Sequence, residues 1–72
     1  MEVTIRYFGH KITDSTRDVP TLAHARGIAK RTLRNSPFTW VSASVFYTDG
    51  DTKRVVEISK FNQQWKQVER IL

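Results

Sequence analysis

Four cations, Arg26, Lys30, Arg31 and Arg34, fall within nine residues, and no Asp or Glu occurs anywhere between Asp18 and Asp49. Guanidinium and ammonium groups without carboxylates at helical i±4 spacing are free to meet other anions. Phosphate is the first such anion to consider, since each cation placed against a nucleic-acid backbone releases condensed counterions and adds salt-dependent affinity. The plainer account is that Lys and Arg are good helix formers on a solvated face.

A second set combines aromatic and basic residues. Phe8, Trp40 and Phe46 would lie on one face of a sheet with Arg6 and Lys53, while Arg54 adjoins Lys53 beside the Asp49-Gly50-Asp51 turn. Aromatics and cations on an open sheet are how single-stranded nucleic acid is stacked and held. The same grouping suits the core of a protein interface, and internal packing of the aromatics is the third reading. The Gly-aromatic run of an RNA-recognition sheet is absent.

Catalytic and metal chemistry has little to draw on. His10 and His24 are the only histidines and there is no cysteine, so a zinc site would need carboxylates at fitting geometry. His10 beside Gly9 reads as a turn residue and His24 as part of the basic face. Asp49 and Asp51 belong to a turn that needs no ion to explain it. Ser42 and Ser44 have no nearby predicted base, and three scattered glycines make no phosphate loop. No catalytic residue, metal or cofactor is expected, and the chain reads as a binding protein.

These side chains need elements to hold them. Val3, Ile5 and Tyr7 alternate with polar neighbours as in a half-buried strand, and a tight turn at Gly9-His10 makes residues 2–15 a β-hairpin in which Tyr7 faces Ile12. Asp18 is the expected N-cap of a helix through Arg34, with Pro20 in its first turn. Leu22, Ala25, Ile28, Ala29 and Leu33 form its apolar side, and Asn35-Ser36-Pro37 stops it. Phe38 to Thr48 and Thr52 to Phe61 read as a second hairpin around Asp49-Gly50-Asp51. Its inner face would carry Val41, Ala43, Val45, Tyr47, Val56 and Ile58, leaving Trp40 outside. Asn62 is the expected cap of a last helix over 63–72, from the spacing of Trp65, Val68 and Leu72. The expected fold is therefore α+β: hairpin, helix, hairpin, helix, with a three- to four-stranded antiparallel sheet and the helices mainly on one face. A helix–turn–helix is excluded, because no second helix follows the first across a short turn.

The whole chain, residues 1–72, is expected to be one domain. At this length only about 60% of the unfolded surface is buried, so the core is thin and no disulfide can reinforce it. Pairing into a homodimer would help such a core and double the basic surface. Twelve Lys and Arg against seven Asp and Glu give a net charge of +5 and a pI near 10.1, which speaks to partners and not to fold. Neither a signal peptide nor a membrane span is expected, and the absence of cysteine suits the cytoplasm. Two functions remain open. In the first, a small accessory protein binds DNA or RNA without much sequence preference, through phosphate contacts from Arg26, Lys30, Arg31 and Arg34 with Arg6, Lys53 and Arg54 as outer contributors. In the second, an inhibitor or adaptor of the kind phages and other mobile elements encode docks on an acidic protein surface, anchored by Phe8, Trp40 and Phe46.

Overall fold

A computed structural model describes all of residues 1–72. Five strands, β1 (Glu2–Gly9), β2 (Ile12–Asp18), β3 (Trp40–Asp49), β4 (Thr52–Phe61) and β5 (Gln64–Ile71), form one antiparallel sheet in the order β2-β1-β3-β4-β5. A single helix, α1 (Leu22–Asn35), carries the chain from β2 across one face to β3. It is not long and apolar enough to cross a membrane.

The core forms because two apolar periods meet. Val3, Ile5 and Tyr7 alternate on β1, Ala43 and Val45 on β3, and Val56 and Ile58 on β4, and all are buried. Above them Ala25, Ala29 and Leu33 recur at every fourth position of α1 and are buried too. Small residues on both layers of this core, Ala25 and Ala29 on α1 and Ala43 on β3, leave room for helix and sheet to approach closely. Each fully buried Val or Ile contributes about 1.5–3 kcal/mol relative to exposure. Tyr7 takes its hydroxyl into this layer and hydrogen-bonds Thr32 Oγ1 at 3.2 Å, and Thr32 donates in turn to the Ile28 carbonyl at 3.1 Å.

The expected second helix does not exist. Residues 64–71 are strand β5, paired with β4 from Phe61↔Gln64 to Arg54↔Ile71. Asn62 and Gln63, with φ of 49° and 65°, form the two-residue turn between them, the primed geometry whose twist suits a hairpin. The Trp65/Val68/Leu72 spacing fits a helix, but a segment that short is marginal as a helix by itself. The unpaired edge of β4 offers it a full ladder of backbone hydrogen bonds instead, and tertiary pairing overrides the local period. The sheet consequently has five strands, one more than expected at most.

Smaller corrections follow from the turns. The first hairpin pairs Phe8↔Ile12 and Tyr7↔Thr13, so Ile12 lies on the face away from α1 and is 66% exposed. The strand β2 also runs on to Asp18, and the helix cap is Thr21, whose Oγ1 accepts from the His24 backbone N–H at 3.2 Å. Asp18 cannot cap α1 because the chain is still extended there and Val19, buried, donates its N–H to the Met1 carbonyl at 2.8 Å.

Candidate nucleic-acid interface

Arg26, Lys30 and Arg34 stand one residue after Ala25, Ala29 and Leu33, so they form a ridge along the flank of the buried stripe, about 100° around the helix. That flank overlooks β5. On β5 the residues paired with the core side of β4 are Trp65, opposite Lys60, Gln67, opposite Ile58, Glu69, opposite Val56, and Ile71, opposite Arg54. Helix and strand run in opposite directions here, and their spacings agree. Four helical residues advance about 6 Å and two strand residues about 6.6 Å, so the ridge from Arg26 to Arg34 matches the length of β5 from Glu69 to Trp65.

The two ends of this cleft differ. At one end Arg26 Nη2 lies 2.5 Å from Glu69 Oε1, and that cation is neutralised. At the other end three cations gather around one indole: Lys30 Nζ at 5.9 Å, the Arg34 guanidinium carbon at 5.9 Å and Lys60 Nζ at 5.5 Å from a Trp65 ring centroid. Cation–π attraction of this kind is worth about 0.5–1 kcal/mol per exposed pair and holds the cations together against their repulsion. None of Lys30, Arg34 and Lys60 takes part in any of the five ion pairs of the chain. Arg31, one position further round the helix, is exposed and likewise unpaired.

The remaining expected cations do not join this cluster. Arg6 lies on the face away from α1, where Nε and Nη2 donate to Asp14 at 2.8 and 3.1 Å and the guanidinium covers the Phe46 ring at 5.2 Å. Those hydrogen bonds raise the Arg6 pKa and hold the Asp14 carboxyl below its usual value. Arg54 sits at the far end of β4 from Lys60, about 20 Å along the strand, with Nε 3.6 Å from Asp49. Lys53 is exposed near the same end.

The aromatic set is also divided. A β-bulge shifts the register between Phe8 and Gly9, so that Phe8 pairs with Ser42 but Gly9 with Trp40, and Val41 is the extra residue. One inserted residue reverses the facing of everything before it. Trp40 therefore turns to the helix side, packs against the core and lies 5.7 Å from the Tyr7 ring, whereas Val41 is 67% exposed. Phe8 and Phe46 do lie on the open face. Phe46 is under Arg6, and Phe8 borders a shallow depression of about 360 Å³ with Ser42, Ser44, Glu57 and Ser59. Glu57 is ion-paired with Arg70. The expected trio of Phe8, Trp40 and Phe46 is therefore not assembled on that face.

Sequence reasoning missed Lys60 and Trp65 as members of the cluster. With residues 63–72 drawn as a helix, Trp65 had no reason to oppose Lys60. The one available signal was Asn62, a residue that tolerates positive φ, because the apolar Trp65, Val68 and Ile71 recur every third residue and show no strand alternation.

No three His, Asp or Glu side chains converge as metal ligands. Compared with protein-family models, with curated proteins and with solved structures, the chain has no match.

Proposed function

We propose that this protein binds nucleic acid through its phosphate backbone, using Lys30, Arg34 and Lys60 around Trp65 with Arg31 at the rim. The observation that carries the reading is the convergence of three cations from two separate elements on one side chain without any carboxylate partner. Gathering like charges costs free energy that an anion would return. A polyanion does so repeatedly, since successive phosphates can engage successive cations with release of counterions. Phosphate contacts position a partner and carry no base information, so little sequence preference is expected. Arg26, Arg6 and Arg54 are secondary at most, because each already faces a carboxylate.

The test is fluorescence anisotropy with labelled single-stranded DNA, duplex DNA and RNA between about 50 and 200 mM salt. Binding with a log–log salt slope of about −3 to −4 would match four phosphate contacts. Lys30→Gln, Arg34→Gln and Lys60→Gln should each reduce the slope by just under one. Absence of binding to all three at the lowest salt would reject the proposal and favour an acidic protein surface, for which the same cations would steer encounter.

A further inference from the structure

Next to the cation cluster, where α1 ends, lies a recess of about 340 Å³ bounded by Leu33, Pro37, Trp40, Val41, Lys60 and Gln63. It shares Lys60 with the cluster, so an anionic chain lying on Trp65 passes its mouth. Its walls are the apolar Leu33, Pro37 and Val41 and the indole of Trp40. Gln63, at the tip of the β4–β5 turn, supplies the one carboxamide, a group that both donates and accepts. An aromatic wall, apolar surfaces, an amide and a neighbouring phosphate-binding cation are what an unstacked nucleobase requires. The size is at the lower end of ligand sites in general.

The position of the cations argues in the same direction. A helix with its side chains is about 10–12 Å across and the major groove of duplex DNA is about 12 Å wide. The ridge of Arg26, Lys30 and Arg34 looks towards β5, so presenting it to a groove would require the helix and the sheet edge to enter together. A flexible single strand can follow the cleft, and its bases are free to leave the stack. Resting on the phosphate-binding reading above, we infer that the ligand is single-stranded nucleic acid, with one base lodged against Trp40 in the recess beside Gln63 and the adjoining phosphates on Lys60, Lys30 and Arg34.

The discriminating experiment compares three labelled oligonucleotides of equal total phosphate number, about 24, at about 50 mM salt: oligothymidylate, its fully abasic counterpart, and a duplex of about 12 phosphates per strand. The expected result is that oligothymidylate binds about tenfold or more tightly than the abasic strand, the scale of one base–aromatic stack, and also more tightly than the duplex. Val41→Met, at an exposed position on the rim, would fill the recess with an aliphatic side chain that offers no face for stacking. It should lower the ratio of oligothymidylate to abasic affinity, and a ratio unchanged from the parent would overturn the base recess. Equal affinity for the abasic and thymidylate strands, or tighter binding of the duplex, would overturn the base recess and leave the phosphate reading standing. If no oligonucleotide binds, both fall together.

Discussion

Arg26 on α1 and Glu69 on β5 form an ion pair at 2.5 Å across forty-three residues of sequence, and this pair alone separates the neutral end of the α1–β5 cleft from its cationic end. Breaking it from the acidic side should therefore extend the cationic surface. Glu69→Gln is expected to tighten nucleic-acid binding and to steepen the salt slope by about 0.7–0.9, one further phosphate contact. Stability should fall by less than about 1 kcal/mol, since both side chains are partly solvated. Anisotropy across a salt series reads the first effect and urea unfolding the second.

The bulge that turns Trp40 inward depends on Gly9. A Cβ at that position would meet the Thr39 carbonyl oxygen at 1.9 Å, with the Trp40 ring at 3.2 Å. Backbone cannot move aside as a flexible side chain can. Gly9→Ala should destabilise the protein by about 1–3 kcal/mol, the usual range for forced overpacking. Gly27→Ala is the contrasting change. Nothing lies within 4 Å of its added methyl and helix propensity improves, so stability should rise by up to about 1 kcal/mol. Paired urea melts of the two variants check both signs.

The β4–β5 turn is built from two non-glycine residues at positive φ, Asn62 and Gln63. Asn tolerates this region, whereas Gln is strained in it by about 1 kcal/mol. Gln63→Gly should raise the urea midpoint, by about 0.5–1 kcal/mol in stability. A loss of stability instead would contradict strain at Gln63. The same variant removes the carboxamide from the base recess, so oligothymidylate should bind it less well although the fold is firmer.

Folding lowers the pKa of Asp14, chiefly through its hydrogen bonds with Arg6. The interaction therefore stabilises the folded chain at pH values above the ordinary aspartate range, near 4. It is lost as the pH falls through the lowered value. Asp14→Asn should bring the stability of the variant closest to that of the parent in strong acid and leave the largest gap at neutral pH. Urea midpoints measured from about pH 2 to 7 test the shape, and a constant gap would contradict it. Because the pair is exposed on the face away from α1, binding to the cationic cleft should be unaffected.

Trp65 shows how much of the site is legible in the sequence. Its type and position, and those of Lys30 and Arg34, were visible, as were the basic, acid-free window around the helix and the apolar stripe of Ala25, Ala29 and Leu33. Those are local properties, since a period of 3.6 residues or of 2 is written in neighbouring residues. The boundaries of β4 and the Asp49-Gly50-Asp51 turn follow for the same reason, with Gly50 at φ 62° where glycine takes positive φ freely.

Three outcomes depended on contacts between distant segments. The C-terminal residues 64–71 became a strand because β4 presented an open edge, not because their own pattern demanded it. Trp40 faced the core because the bulge opposite Gly9 inserted one residue, and a shift of one reverses a strand's facing. Arg26 was neutralised and Lys60 recruited because β5 brought Glu69 and Trp65 alongside α1. Composition and periodicity thus determined that the chain is basic and that Leu22–Asn35 form an amphipathic helix over a sheet, while the same periodicity pointed to a second helix that does not form. Which cations remain free, and what they surround, was decided by strand pairing, whose hydrogen bonds join residues that no local period relates.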